Sequence, residues 1–521
     1  MLSGQPSEPS AQPPVAKAAV DGAGQRPVVD FLSSPAAFGG RPVDRIDTHI
    51  SHIFLAGDRA YKMKRAVKLD FLDYTSLERR RRDCLAEIAV NQAMAAGLYR
   101  RVVPVTRADD GLALDGPGEP VEWLVEMVRF DGDTQFDRLA DAGRLTVPMI
   151  EQLADVVAAG HRTAAKTPGR GGIDVLSFFQ GYVGRALDGA VTTLGGRDAV
   201  DGWKTLFGEA LGRMAPVIDA RRRHGFVRRC HGDLHLANIC LFDGRATPFD
   251  AIEFNDDIAC CDVLYDLAYA LMDLVRIDRP DLANLLMNRY LAYTRDYRGL
   301  RLMPLFVSLR GGIRAMVHVL KPPTAVEHAK ARAFLHLALE VLVDRPRPRL
   351  IAIGGLSGTG KSTLAHALAT RVAPGIGAVV LRSDVTRKQL FDSAPETPLP
   401  PRAYRPEVNE RVYHRLVHDA GRALAAGQVV IVDAVFLQPW ERAAMAEVAR
   451  RLEVPFAGLW LDAPQPVLAG RIAMRGHDAS DATVDVLARQ ARQDIGALDW
   501  TRLDTGGDVE GAVRAARAAL G

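Results

Sequence analysis

The chain has 521 residues, of which 48% are hydrophobic and 25% are charged, and its formal net charge is only +3. At roughly 150 residues per domain, this length excludes a single core and predicts two or three folded units. The small net charge gives no argument for a nucleic-acid partner. Five cysteines without a CxxC pair favour a reducing compartment over a disulfide framework. No apolar run reaches about 18 residues, so we expect no membrane span and a cytoplasmic location.

Composition divides the chain into four segments. The N-terminus is rich in Pro, Ser, Ala, Gln and Gly and lacks the pattern of a secretory signal, so we expect a disordered tail over residues 1–26. A first folded domain is expected over 27–342. Residues 343–349 mix Pro and Arg without apolar periodicity and read as a linker, and a second domain follows over 350–521.

A strand hairpin and a helix stand out near the start of the first domain. The stretch 52–68 predicts two strands joined by a turn at its Gly-Asp pair. Lys62 and Lys64 lie two residues apart in the second strand and therefore share one face of it. Residues 77–96 have the apolar spacing of a helix. Further elements are expected as a strand over 121–129 and helices over roughly 147–165, 174–190 and 200–224.

The segment HGDLHLAN, residues 231–238, carries the first chemical signature. Asp233 is followed five residues later by Asn238, and Asp250 comes after a short hairpin-like stretch. Phosphoryl transfer needs an acid that accepts the proton of the acceptor hydroxyl, and an amide and a second acid that hold Mg²⁺ on the phosphates. The spacing of these three residues fits that arrangement.

These segments, together with THISHIFLAGDRAYKMKRAV and FDAIEFND, resemble the aminoglycoside phosphotransferase-like branch of the protein-kinase-like fold. The resemblance covers about residues 28–340 and implies that Asp233 is the catalytic base, with Asn238 and Asp250 as metal ligands. It also implies that Lys62 or Lys64 contacts the ATP phosphates and that Glu87 is the helix partner of this lysine. The adenine-binding hinge is expected at residues 126–128.

The segment departs from protein kinases at three points. No G-x-G-x-x-G loop precedes the lysine strand, so Ser51 and its neighbours are expected to cover the phosphates. Ala237 stands where a proline usually precedes the asparagine. Asp250-Ala-Ile replaces Asp-Phe-Gly, which argues against a regulated protein kinase.

The second domain begins with a phosphate-binding loop. Residues 350–353 read as a buried strand, and a helical pattern follows the motif G-x-x-x-x-G-K-[ST]. Glycines let backbone N–H groups surround phosphate oxygens, while the lysine reaches the β- and γ-phosphates and the serine hydroxyl binds Mg²⁺. The expected nucleotide-binding residues are Gly355, Leu356, Ser357, Gly358, Thr359, Gly360, Lys361, Ser362 and Thr363.

Further strand-like runs in the second domain end in polar residues. Asp384 and Arg387 form D-x-x-R after one run, and Asp433 follows another. Alternation of such runs with helices predicts a parallel sheet flanked by helices, in which ligands bind at the carboxyl ends of the strands.

This second domain resembles small P-loop kinases that phosphorylate hydroxyls, such as polynucleotide kinase, chloramphenicol phosphotransferase and the zeta toxins. The resemblance implies that Asp384 is the base, that Arg387 contacts phosphate or substrate, and that Asp433 lies near Mg²⁺. Arg471 and Arg475 are then lid arginines that stabilise charge on the transferred group.

The sequence therefore predicts an α+β two-lobed kinase-like domain followed by an α/β P-loop domain. The favoured function is transfer of the γ-phosphate of ATP, with Mg²⁺, to a hydroxyl of a small molecule. One alternative is a nucleic-acid 5′-hydroxyl kinase, based on basic and aromatic residues in the stretch 382–415, which acidic residues interrupt. Another is an ATP-hydrolysing switch in which the kinase-like half is a binding module. The sequence leaves the acceptor and the oligomeric state open.

Overall fold

The computed structural model describes residues 24–69, 71–109, 111–474 and 479–521. These residues form a two-lobed kinase-like domain and a parallel-sheet domain. The predicted fold class is confirmed. No helix within the described ranges has the length and apolar character needed to cross a membrane.

The small lobe is built on an antiparallel sheet with strand order β1-β2-β3-β8-β6-β7. Its elements are α1 (Arg26–Leu32), β1 (Val43–Asp47), β2 (Ser51–Ala56), β3 (Arg59–Lys64), β4 (Lys68–Leu69), β5 (Leu72–Asp73), α2 (Leu77–Asn91), β6 (Tyr99–Ala108), β7 (Gly111–Leu114) and β8 (Glu119–Val128).

The predicted hairpin is confirmed as β2 and β3, which pair antiparallel with Ile53 opposite Lys62 and Ser51 opposite Lys64. Gly57 adopts a φ of 59°, which the tight turn requires and which glycine adopts without strain. Helix α2 packs on β6 and β8 of this sheet, and its Glu87 accepts hydrogen bonds from both lysines of β3. The helix ends at Asn91, earlier than its apolar spacing predicts.

The large lobe is mainly helical. Its elements are α3 (Phe136–Asp141), α4 (Val147–Thr163), α5 (Ile173–Asp188), α6 (Arg197–Arg223), β9 (Val227–Arg229), β10 (Ile239–Phe242), β11 (Arg245–Pro248), α7 (Asp256–Ala259), β12 (Cys260–Asp262), α8 (Val263–Arg276), α9 (Pro280–Thr294), α10 (Met303–Leu320) and α11 (Ala325–Val343). The apolar α8 is largely buried and packs against helices α9 and α10.

The second domain is a parallel sheet with strand order β14-β15-β13-β16-β17 and flanking helices. Its elements are β13 (Leu350–Gly354), α12 (Lys361–Ala369), β14 (Val379–Arg382), α13 (Ser383–Leu390), α14 (Pro406–Ala425), β15 (Val430–Asp433), α15 (Pro439–Arg451), β16 (Phe456–Asp462), α16 (Gln465–Ala473), α17 (Val484–Ala491), β17 (Thr501–Asp504) and α18 (Val509–Leu520).

Helix α9 of the kinase-like domain covers the outer edge of β14. The Asn284 amide donates to the carbonyls of Ile376 at 2.9 Å and Ala378 at 2.8 Å. Asn288 donates to the Ala378 carbonyl at 3.2 Å and accepts the Val380 N–H at 2.8 Å. An edge strand leaves backbone groups unpaired, and here two side chains from the other domain satisfy them.

Ion pairs and apolar packing extend this interface. Arg289 on α9 bridges Asp155 of α4, at 2.6 Å, and Glu396 of the second domain, also at 2.6 Å. Arg295 pairs with Asp419 of α14 at 2.6 Å. One continuous cluster of buried apolar side chains runs from the large lobe into the parallel sheet. The linker segment therefore joins two domains that share a core.

The N-terminal boundary differs by a residue or two from the one drawn by composition. Gln25, which the sequence analysis placed in the tail, is only 7% exposed. Its amide donates to the Lys64 carbonyl at 2.9 Å and to Glu122 at 2.7 Å. Gln25 therefore belongs to the folded small lobe.

We expect the interface to depend on Asn288. Replacing it (Asn288→Ala) leaves the Val380 N–H and the Ala378 carbonyl less well satisfied, so opening of β14 becomes easier. Amide hydrogen exchange in residues 376–382 should accelerate about tenfold or more. Asn409→Ala, on α14 and away from this contact, is the matched control. Unchanged exchange in Asn288→Ala contradicts this role.

Candidate functional site

The segment 231–238, which we call the catalytic loop after its predicted role, is held in place by a buried carboxylate on α8. Asp266 accepts the backbone N–H groups of His231 at 3.1 Å and Gly232 at 2.8 Å. Gly232 has a φ of 84°, and a Cβ there would meet the Ala259 Cα at 3.3 Å. The loop therefore needs glycine at this position and takes its shape from α8.

Asp266 is in turn oriented by side chains from α4 and α9. His161 Nε2 lies 3.0 Å from the Asp266 carboxylate, and His161 Nδ1 lies 3.0 Å from the Tyr290 hydroxyl. Burial alone would raise the pKa of Asp266, but the hydrogen bond and charge of His161 lower it. Helix α9, which covers the edge of β14, thus also supports the catalytic loop.

The structure brings together Asp233, Asn238 and Asp250, the predicted base and the two predicted metal ligands. The Asn238 amide donates to the Asp233 carboxylate at 3.0 Å. The Phe249 N–H donates to the Asn238 carbonyl at 2.9 Å, which places Asp250 beside the loop. Asp250 has a φ of 63°, uncommon for a residue with a side chain, and its N–H donates to the Tyr99 hydroxyl at 2.9 Å. Backbone strain of this kind is typical of functional sites.

The two lysines of β3 have different partners. Lys62 Nζ donates to Glu87 at 2.7 Å and to Asp250. Lys64 Nζ donates to the other oxygen of Glu87 at 2.7 Å and to Glu253. The contact with Asp250 directs Lys62, and not Lys64, toward the candidate metal ligands.

Glu87 pairs with both lysines from the interior of the small lobe. Burial alone would raise the pKa of Glu87, but the positive charges of Lys62 and Lys64 lower it, so the carboxylate stays ionised. The Tyr74 hydroxyl donates to Glu253 at 2.7 Å and completes the group. Neither Tyr74 nor Glu253 was predicted from the sequence. Glu253 lies three residues after Asp250 in the quoted motif, but its spacing gave no sign of a lysine partner.

The structure also shows the surroundings of Ser51, which is expected to cover the phosphates, and of the expected adenine-binding hinge. Ser51 begins β2, and its buried hydroxyl has no hydrogen-bond partner among the described residues. In the predicted hinge, Glu126 pairs with Arg101 at 2.9 Å and with Arg59 at 3.2 Å. The hinge segment is therefore fixed by ion pairs on the strands beside it.

The phosphate-binding loop lies between β13 and α12 as predicted. Its three glycines have positive φ, and a Cβ at Gly355 would meet the Leu461 carbonyl oxygen at 2.5 Å. Lys361 Nζ donates to the Leu356 carbonyl at 2.8 Å. The Ser362 hydroxyl donates to Asp433 at 2.5 Å, so the two predicted metal-binding residues of this half are in direct contact.

Asp384 and Arg387 lie on α13, at the carboxyl end of β14. Burial raises the pKa of Asp384, and the neighbouring charge of Asp433 adds to the rise, while Arg382 and Arg387 oppose it. Arg387 is 7% exposed and donates to the Ala403 carbonyl at 2.7 Å. Asp384 and Asp433 therefore share one electrostatic environment at the edge where parallel strands end.

The two predicted lid arginines have different outcomes. Arg471 donates to the Thr505 carbonyl at 2.7 Å, and the Thr505 hydroxyl donates to the Thr359 carbonyl of the phosphate-binding loop at 2.9 Å. Thr505 thus links Arg471 to the phosphate-binding loop. Among the described contacts of Arg471, none is with Asp384 or Asp433. Arg475 lies outside the described residues.

A residue that the sequence analysis missed joins the lid region to α13. Asp481 accepts hydrogen bonds from Lys388 at 2.7 Å, from the Leu399 N–H at 3.1 Å and from the Tyr404 hydroxyl. The Tyr404 ring lies 4.8 Å from the Arg387 guanidinium. Asp481 follows the lid arginines closely, but its partners are too distant in sequence for spacing to reveal them.

Two family models match the chain. Residues 67–303 match the model described as "Phosphotransferase enzyme family", and residues 350–493 match the model described as "AAA domain". The chain therefore joins an aminoglycoside-phosphotransferase-like domain to a P-loop kinase domain. This confirms both resemblances drawn from the sequence.

Relatives with the same extent are known from mycobacteria. An uncharacterized protein of Mycobacterium tuberculosis (strain ATCC 25618 / H37Rv) is 29% identical over 491 residues, which cover 90% of this chain and 94% of that protein. An uncharacterized protein of Mycobacterium bovis has the same identity and coverage. The similarity therefore spans both domains.

Two solved structures that resemble the chain each cover part of it. An amicoumacin kinase in complex with AMP-PNP and Ca²⁺ is 15% identical, covers 61% of this chain and 93% of that chain, and has a TM-score of 0.38. A gluconokinase from Sinorhizobium meliloti 1021 is 23% identical, covers 34% of this chain and 93% of that chain, and has a TM-score of 0.25.

We expect Lys64 to be a stabilising residue. Lys64→Met leaves the buried Glu253 without its ammonium partner and Glu87 with only one, so the free energy of unfolding should fall by about 3–5 kcal/mol. Urea unfolding measures the change. Lys68→Met is the matched control, because the Lys68 side chain is 69% exposed. Equal stability of Lys64→Met and the wild type would contradict the assignment.

Proposed function

We propose that the chain is a phosphotransferase with two catalytic centres, each of which transfers the γ-phosphate of ATP to a hydroxyl of a small molecule. The observation that carries this proposal is the convergence of Asp233, Asn238, Asp250 and the Lys62–Glu87 pair in one site. These residues come from four separate segments and supply a base, metal-binding oxygens and a phosphate-binding cation.

In the kinase-like centre, Asp233 accepts the proton of the acceptor hydroxyl. The acceptor oxygen then bonds to the γ-phosphorus, and the bond to the β–γ bridging oxygen breaks, so ADP leaves. Lys62, held by Glu87, binds the phosphates of ATP. Asn238 and Asp250 provide the oxygen ligands that Mg²⁺ prefers, and their contacts with the loop fit that role. Mg²⁺ bound there neutralises charge on the phosphates.

In the P-loop centre, Asp384 is the proposed base and Lys361 the proposed phosphate-binding cation. Ser362 and Asp433 would hold Mg²⁺, and their 2.5 Å contact supports a shared site. Arg387, Arg471 and Arg475 are the proposed contacts for acceptor and transferred phosphate.

The basic stretch 382–415 divides between the interior and the surface of the second domain. Lys388 is buried, donates to the Thr397 carbonyl and pairs with Asp481, so it is not available to a nucleic acid. Arg402, Arg405 and Arg411 are exposed, as the cations of a nucleic-acid site must be. A nucleic-acid 5′-hydroxyl is therefore the second candidate acceptor of this domain.

Separate loss of two activities tests the proposal. Asp233→Asn removes the base of one centre and Lys361→Ala the phosphate-binding lysine of the other. Each should abolish a different part of γ-phosphate transfer from labelled ATP to a panel of hydroxylated compounds. The exposed residues Asp141 and Lys330 provide matched controls, as Asp141→Asn and Lys330→Ala. Phosphate transfer that neither active-site variant reduces contradicts both centres, and hydrolysis without a phosphorylated product supports an ATP switch.

The two centres should also differ in their dependence on pH. A base must be ionised to accept a proton. Burial raises the pKa of Asp384. As the pH is lowered, this carboxylate therefore becomes protonated at a higher pH than an ordinary aspartate. Burial opposes ionisation of Asp233 too, but His235 and Arg310 lower its pKa below the usual range.

As pH falls, kcat/KM of the Asp233→Asn chain, in which only the P-loop centre works, should therefore decline first. That of the Lys361→Ala chain should decline at a lower pH. Profiles of kcat/KM against pH for the two variants measure this order. Acid limbs that coincide, or that appear in the reverse order, contradict the assigned bases.

A further inference from the structure

A group of buried polar atoms lies at the catalytic loop of the kinase-like domain, one in the loop itself and the others on α8 and α10. None of these atoms has a hydrogen-bond partner among the described residues. They are His235 Nδ1, Tyr265 Oη, Arg310 Nη2, Arg314 Nε and His318 Nε2. Buried polar groups in folded proteins are nearly always hydrogen-bonded, so a concentration of exceptions next to a catalytic residue calls for a ligand.

Arg310 is the centre of this group. Its side chain is 3% exposed and lies between two tyrosine rings, 3.8 Å from the centre of Tyr265 and 4.4 Å from that of Tyr269. Its Nε donates to the Tyr265 carbonyl at 3.2 Å. The nearest carboxylate, Asp266, is 3.9 Å away, beyond hydrogen-bond distance. Arg310 Nη2 is therefore a buried N–H without a hydrogen-bond partner among the described residues, and Asp266 is only a distant counter-charge for its guanidinium.

Arg314 extends the positive region by one helical turn. Its charge acts on Tyr269, Asp273 and Asp233, and burial does not prevent it from remaining protonated. His318, one turn further along α10, stacks on Phe334 with ring centres 5.3 Å apart. Three polar side chains spaced four residues apart thus lie along one face of α10.

The group reaches Asp233 through two ring contacts. His235 Nε2 lies 3.4 Å from the Asp233 carboxylate, and the His235 ring lies 5.3 Å from Tyr269. Tyr269 in turn stacks on Arg310. The positive charge of Arg310 contributes to the lowered pKa of Asp233, which places both groups in one electrostatic environment.

The acidic residues near this group already have hydrogen-bond or ion-pair partners. Asp266 accepts two backbone N–H groups and contacts His161. Asp273 accepts the Leu236 N–H at 3.1 Å. Glu327 contacts His318 Nδ1 at 2.5 Å and Lys321 at 3.4 Å. A cationic acceptor would find no uncommitted carboxylate here except the base itself.

We propose that the kinase-like centre phosphorylates an anionic acceptor, a hydroxylated compound that carries a phosphate or carboxylate group bound by Arg310 and Arg314. This inference rests on the proposed phosphotransferase function of that centre and names its substrate class. The acceptor hydroxyl loses its proton to Asp233 and gains the γ-phosphoryl group of ATP, while ADP leaves. The acceptor's own anionic group stays intact and accepts hydrogen bonds from the arginines.

A matched set of sugars tests the substrate class. The Lys361→Ala chain, in which only the kinase-like centre works, is given labelled ATP with glucose 6-phosphate, glucuronate, glucose or glucosamine. These compounds share most of their hydroxyls and carry a phosphate, a carboxylate, no charge or a positive charge. We expect the highest kcat/KM with one of the two anions and the lowest with glucosamine. Preferred transfer to glucosamine overturns the proposal.

Arginine variants in the same background test the residues. Arg314→Met should lower kcat/KM for the anionic sugars about 10- to 100-fold, the factor expected for one lost charged hydrogen bond, and leave glucose unchanged. Arg310→Lys, which keeps the charge in a buried position, should lose less than Arg310→Met. Arg332→Met, at an exposed position on α11, is the control. An equal loss with glucose and with the anions assigns Arg314 a structural role and overturns the proposal.

A binding measurement separates this inference from the proposed function. Calorimetric titration of glucose 6-phosphate into the Lys361→Ala chain is compared with the same titration into Lys361→Ala/Arg314→Met. If Asp233→Asn leaves transfer unchanged but binding weakens in the arginine variant, the phosphotransferase assignment fails and the anion site stands. If binding is absent, or is the same in both chains, the anion site is wrong whatever the activity shows.

Discussion

The unpaired edge of β14 is the constraint on which both candidate centres depend. Backbone groups at a sheet edge need partners, and Asn284 and Asn288 of α9 provide them from the other domain. Asp384 lies just beyond that strand. The opposite face of α9 carries Tyr290, whose contact with His161 supports Asp266 and the catalytic loop. One helix therefore supports both the strand that precedes the proposed base of one centre and the loop of the other.

The parts of the molecule that sequence could predict are those in which chemistry fixes local spacing. A phosphate-binding loop needs its glycines, lysine and serine within a few residues of one another, so residues 355–363 were identifiable without a structure. The same holds for Asp233 and Asn238, which belong to one loop. Hairpin β2–β3 was predictable because its turn requires a glycine with positive φ.

What sequence could not predict depends on residues that meet only in the fold. Lys62 and Lys64 share one face of β3, and periodicity treats them alike. They differ because Asp250 and Glu253, nearly two hundred residues later, lie opposite different lysines. The contact between the domains is hidden for the same reason, since nothing in the spacing of Asn284 and Asn288 shows that a strand edge lies across from them.

The charge of the proposed acceptor site also could not be predicted from the sequence. Arg310 and Arg314 are four residues apart on a helix, the spacing of ordinary surface charges. Only burial distinguishes them, because a guanidinium enclosed by Tyr265 and Tyr269 has lost its water and has no carboxylate within hydrogen-bond distance among the described residues. A kinase-like fold leaves the acceptor undefined. The selection of an acceptor therefore depends on which buried charges beside the loop lack hydrogen-bond partners, and in this chain we propose that they are the two arginines of α10.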